Sequence, residues 1–152
     1  MPPGEPLFVD PSSVEPTTQQ LAAFVDADPG PGSGPLRMVN LLKFRETACY
    51  TDEPDPGGTG AEAYGRYAEV ALRKVSERGG RIVTALEAGP HLVGDPDVSW
   101  DQVVVVEYPD RAAFLDMIAD PEYLAVLRHR DAGLERTELI PATVLMEDVS
   151  VE

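Results

Sequence analysis

The apolar positions of this chain change period along its length, and those changes mark its elements. After Pro16, Thr17 and Gln20 stand at capping-box spacing ahead of Leu21, Phe24 and Val25. This predicts a short helix that ends before Pro29-Gly30-Pro31-Gly32. Arg37 to Phe44 then reads as a strand with apolar residues on both faces. Met38, Asn40, Leu42 and Phe44 share one side; Val39, Leu41 and Lys43 share the other. Residues 45–60, rich in Asp, Pro and Gly, predict a long loop, either a lid or binding segment or a plain surface excursion.

From Ala61 to Arg78 the period is helical. Tyr64, Tyr67, Ala68, Ala71, Leu72 and Val75 form one stripe, charged residues take most of the other side, and Gly79-Gly80 supplies the stop. Arg81 to Val93 predicts a second strand, Gly94-Asp95-Pro96-Asp97 a turn, and Trp100 to Tyr108 a third strand. The run Val103-Val104-Val105-Val106 implies burial on both faces. Asp110 and Asp120 each open a helix, the second with Pro121 at its first position, and Gly133 closes the pair. A last strand is expected near Thr137 to Met146, with Pro141 at a bulge or an unpaired edge position.

Strand, helix, strand, strand, helix pair, strand is the order of a ferredoxin-like βαββαβ domain of the α+β class, with a four-stranded antiparallel sheet and an extra N-terminal helix. The division expected is an N-terminal arm with the short helix over residues 1–35 and the ferredoxin-like α/β-barrel domain over 36–152, the first fifteen residues being a surface-draped or mobile arm. The helices cover one sheet face and leave the other apolar. Such a face seeks a partner, and an identical sheet makes a closed homodimer, a dimeric α/β barrel.

Composition narrows the partners. The formal charge of −15 repels phosphate backbones and anionic membranes, so neither nucleic acid nor membrane is expected. No apolar run reaches spanning length. Cys49 is the one cysteine, so no intramolecular disulfide forms, and a cytoplasmic setting is the default expectation. No phosphate loop, dinucleotide fingerprint or nucleophile elbow is present, and the two histidines lack metal-ligand spacing. The expectation is therefore no metal and no cofactor.

Several segments together resemble a bacterial family of unknown function in the dimeric α/β-barrel superfamily. They are Met38 to Arg45, Gly60 to Tyr64 with Tyr67, Gly79-Gly80-Arg81, Trp100-Asp101, Glu107-Tyr108-Pro109, Asp120 to Tyr123, and His129-Arg130. The resemblance runs from about Glu15 to Met146. It implies the fold. The wider superfamily includes cofactor-independent monooxygenases, lactone isomerases, haem-handling enzymes and sensing domains, among which fold alone does not choose. It also implies a site between the sheet and its helices.

Candidate residues follow from that placement. Asn40 is an amide within an apolar strand, either tying strand to loop or orienting a ligand. Tyr64 and Tyr67 are core aromatics whose hydroxyls could reach a ligand. His91 and Asp101 flank the turn at Pro96. In one register they face each other as a general-base dyad, while a one-residue slip places them on opposite faces. His129 and Arg130 lie on the last helix, and Arg130, on the stripe of Tyr123 and Leu127, calls for an acidic partner within the chain or an anionic ligand. Three functions remain open: a cofactor-independent enzyme acting on a small organic molecule, monooxygenase- or isomerase-like; a non-catalytic ligand-binding dimer; and a structural dimer with a filled core.

Overall fold

The computed structural model describes residues 13–30 and 34–151, and every structural statement below concerns those residues. The expected arm over residues 1–15 lies mostly outside them. The elements are α1 (Thr18–Asp26), β1 (Leu36–Phe44), α2 (Gly60–Glu77), β2 (Arg81–Glu87), β3 (Gln102–Tyr108), α3 (Arg111–Ile118), α4 (Pro121–Gly133) and β4 (Leu134–Thr143). The strands form one antiparallel sheet in the order β2-β3-β1-β4. This is the ferredoxin-like βαββαβ order, with α3 and α4 sharing the second helical position and α1 added in front. No helix is long and apolar enough to cross a membrane.

Local chemistry sets the helix limits. At α1, Gln20 N–H donates to Thr17 Oγ1 at 3.0 Å and Thr17 N–H donates to Gln20 Oε1 at 2.9 Å, so the expected capping box forms. Thr59 and Glu62 repeat it at α2. Gly79, at φ +78°, adopts the left-handed turn that a side chain would resist, and Gly80 N–H returns to the Val75 carbonyl at 2.9 Å.

The strand limits differ from expectation. β2 ends at Glu87, not Val93, because Ala88-Gly89-Pro90 breaks the ladder and the chain to Asp101 is irregular. β4 begins at Leu134, directly after α4, and ends at Thr143. Pro141 stands opposite Met38 on this edge strand, where a missing N–H is tolerated; the irregularity lies elsewhere, opposite Lys43/Phe44.

One sheet face carries the core. Leu36 and Met38 of β1 and Val106 and Tyr108 of β3 are buried with Tyr67, Ala71 and Val75 of α2, Met117 of α3 and Tyr123 of α4. By alternation, Val39, Leu41, Val103 and Val105 project from the opposite face, joined by the exposed Leu86 and Ile140. Ion pairs of Arg37 with Glu107 and Glu147, and of Arg81 with Glu107, border that apolar face at one end.

The two long helices meet in a close seam. A Cβ on Gly133 would lie 2.4 Å from the Gly60 carbonyl oxygen, and one on Gly60 would lie 2.1 Å from the Arg45 carbonyl oxygen, so only glycine fits at either position. At the far end of the seam Asp120 caps α4, accepting from Glu122 N–H at 2.9 Å and from Arg78 Nη2 at 2.9 Å, with the buried Lys74 at 3.4 Å. The Arg78 hydrogen bond holds the Asp120 carboxyl down at about 2, against the opposing effect of burial.

Candidate functional site: a cleft between sheet and helices

The core cluster fills only part of the space between the helices and the sheet. A cleft of about 1800 Å³ opens there. Asn40 and Val104 form its floor on the sheet, while Tyr64, Tyr67, Tyr123 and Arg130 form its helical wall. Residues of segment 13–27 line its rim, where Phe24 packs edge-on to Phe114 at 5.3 Å and Arg111 stacks on Phe24 at 4.4 Å.

Asn40 is anchored from below. Its Nδ2 donates to the carbonyl oxygens of Met38 and Val104, both at 3.1 Å. Both donor hydrogens are thereby engaged, and Oδ1 meets no protein donor among the described residues. The amide thus ties two strands together and still offers an acceptor.

The tyrosines form a ladder with Phe44. Ring centroids are 5.3 Å apart for Phe44–Tyr64, 5.2 Å for Tyr64–Tyr67 and 5.7 Å for Tyr67–Tyr123. The hydroxyls of Tyr67 and Tyr123 are hydrogen-bonded at 2.9 Å. Burial pushes Tyr64 up to about 12 and Tyr67 well above its ordinary value, while the nearby charge of Arg130 pulls both the other way. At neutral pH these are protonated donors, not bases.

Arg130 does not form the ion pair that its sequence position allowed. Its Nη1 donates to the Val14 carbonyl, and no carboxylate among the described residues lies within ion-pair range. The neighbouring Asp131 is raised above its ordinary value, first by burial and then by Glu15.

The His91–Asp101 dyad does not form. Glu87 pairs with Gln102, and Ala88 N–H donates to the Asp101 carbonyl at 2.9 Å, so the position across from Asp101 belongs to Ala88. His91 lies further along the irregular connection, where its Nδ1 is 2.9 Å from the Asp95 carbonyl oxygen. The Asp101 carboxylate instead accepts from Phe44 N–H at 2.8 Å and faces Lys43 at 3.5 Å. The expected register required a tight hairpin centred on Pro96, and the strands part well before it.

His129 faces away from the cleft. Arg66 Nη1 donates to the Tyr50 hydroxyl at 2.9 Å, which leaves the Tyr50 proton for His129 Nδ1 at 2.6 Å. Burial and the charges of Arg128 and Arg66 lower the His129 pKa. Arg128 stacks on the Tyr50 ring at 4.8 Å and pairs with Asp52 at 3.1 Å. The loop after β1 is thus fastened to α2 and α4. The sequence reading put Asn40, Tyr64, Tyr67, His129 and Arg130 at one ligand site with His91 and Asp101 as its dyad; Asn40, Tyr64, Tyr67 and Arg130 line the cleft, and His129, His91 and Asp101 do not. It missed Phe44, Asp131 and Glu15 as cleft residues and Tyr50, Arg66, Arg128 and Asp52 as the partners of His129. Tyr123, one helical repeat before Arg130, carried a usable signal; the loop partners carried none. Among the described residues no group of three or more His, Cys, Asp or Glu side chains could hold a metal ion.

Comparisons place this geometry among known proteins. The model of a domain of unknown function, DUF1330, matches residues 58–144. The structure of methylated RPA0582 protein is similar at 34% identity, covering 92% of this chain and 100% of that one, with a TM-score of 0.82. That of the RPA0582 protein of unknown function from Rhodopseudomonas palustris gives 36% identity, 88% and 98% coverage, and a TM-score of 0.79. SnoaB, a cofactor-independent oxygenase from Streptomyces nogalater, shares the fold at 17% identity, 77% and 99% coverage, and a TM-score of 0.50. No curated protein matches. With more than half its length matched, this chain belongs to the DUF1330 family, a ferredoxin-like family of unknown function.

Proposed function

We propose that this protein takes a small organic molecule into the cleft and acts on it without a cofactor, as a monooxygenase or isomerase would, and that it works as a homodimer. The observation that carries the reading is the cleft, an unfilled volume with an anchored amide on one side and a ladder of protonated tyrosines on the other. Asn40, Tyr64, Tyr67 and Arg130 orient the molecule. The oxygenase named above shares the fold only and supports the reaction type by analogy. Tyrosines held neutral and the unformed dyad favour a second reading, a non-catalytic ligand-binding dimer.

The test begins with a thermal-shift screen of metabolites, since a ligand that binds the folded state raises its melting temperature. Hits are then followed for turnover in air. Binding and turnover that both fall in Asn40→Ala and Tyr64→Phe support the enzyme; binding without turnover supports the second reading. The homodimer rests on the apolar sheet face of Val39, Leu41, Val103 and Val105. Leu41→Arg is expected to yield a folded monomer by light scattering, and a wild-type monomer at micromolar concentration would remove the dimer from the account.

A further inference from the structure

We infer that the cleft is built for an organic anion, an oxyanion carried on a flat apolar body. This deepens the reading above and rests on the cleft being a small-molecule site. The argument is one of hydrogen-bond supply. A guanidinium has five N–H donors, and the Val14 carbonyl engages Arg130 at one of its terminal nitrogens. Tyr64 lines the cleft, and its hydroxyl meets no acceptor among the described residues. Tyr67 and Tyr123 bond to one another, which leaves the accepting hydroxyl's own proton for a third partner. On the opposite wall, Asn40 Oδ1 is a side-chain acceptor held in place by the two bonds of its own Nδ2.

The carboxyl groups that line the cleft do not correct this surplus. Glu15 and Asp131 lie at the rim, neither within ion-pair range of Arg130 among the described residues, and burial and then the charge of Glu15 raise the Asp131 carboxyl above its ordinary value. Glu135 and Glu138 are exposed on the edge strand β4. Arg130 and Tyr64 are half-buried donors on the cleft wall, and an ionised oxygen accepts without donating. A carboxylate or enolate placed between Arg130 and Tyr64 would satisfy both, by charge-assisted bonds of the strong kind. The rings of Phe44, Tyr64, Tyr67 and Tyr123 then provide a wall against which a flat body stacks. Asn40 Oδ1 would take a hydroxyl or N–H from the ligand's far side.

The experiment titrates the full chain with 2-naphthoate and its neutral match 2-naphthamide, following amide chemical shifts at neutral pH and low salt. Naphthoate is expected to bind at least about tenfold more tightly. Arg130→Gln should level the two probes, Arg130→Lys should keep part of the preference, and Tyr64→Phe should weaken naphthoate alone. Equal binding of both probes to the wild type overturns the inference and leaves the cleft standing as a ligand site. Binding of neither, or shifts confined to the open sheet face, overturns both. Should Arg130→Gln fail to fold, the wild-type comparison and Arg130→Lys decide the matter.

Discussion

The seam between α2 and α4 and the cleft beside it are built from the same two helices, yet they are opposites. In the seam the backbones touch through Gly60 and Gly133, and at its far end Lys74, Arg78 and Asp120 are locked together. In the cleft the same helices set Tyr64 and Arg130 around a volume that the core leaves open beside Asn40. The difference teaches where the fold's rigidity comes from. The helices brace each other, and the sheet fills only part of the space beneath them. A cavity survives in a protein when its walls are held from outside it.

That contrast can be broken most severely at the seam. Gly133→Val is expected to abolish the folded state, and Gly133→Ala to cost about 1–3 kcal/mol, because the added carbon meets backbone that cannot move aside. Urea melts of the two variants check this. Added bulk on the cleft wall should behave differently. Val104 borders both the core cluster and the cleft, so Val104→Phe is expected to abolish ligand binding while lowering the melting temperature less than Gly133→Val does.

A smaller effect is expected from the charge at the seam. Asp120→Asn keeps the helix cap and loses the carboxylate beside Arg78 and Lys74, lowering the melting temperature at neutral pH. The Asp120 pKa is depressed in the folded state, so its contribution is fully present above the unfolded value of 3.8. It is lost as pH falls from there towards about 2. Melting temperatures of the two proteins should therefore converge across that acid range, and a gap that widened there would refute the assignment.

The smallest effect concerns the fastened loop. His129 must be neutral at Nδ1 to accept the Tyr50 proton, and its pKa lies below 6.5. A histidine with a lowered pKa stabilises above its unfolded value, and that support is lost as pH falls through the folded one. Hydrogen exchange at the Ala48 and Cys49 amides, corrected for the intrinsic pH dependence, should accelerate below that point in the wild type and show no such step in Tyr50→Phe.

The order of elements was legible because it depends on period alone. Tyr67, Ala71 and Val75 mark the buried stripe of α2, and the valines of β3 mark the centre of the sheet. The cleft was partly legible, since Asn40 interrupts an apolar strand and Tyr64, Tyr67 and Arg130 sit on inward-facing stripes. What failed depended on register or on loop path. The His91–Asp101 pairing required a hairpin length that Gly89-Pro90 does not permit. Tyr50 reaches His129 only through the course of the loop between β1 and α2, which no local pattern encodes. The hollow itself was not readable, because packing density belongs to the assembled helices and not to any one segment.

The central claim is that the space between the sheet and its helices is a ligand site. A crystal of the protein soaked with the strongest stabiliser from the metabolite screen tests it most directly. The account predicts density lying against Asn40, Tyr64 and Arg130 with the seam unmoved. A ligand seated instead on the face of Leu41 and Val105, or a cleft closed by side chains in the crystal, would contradict it.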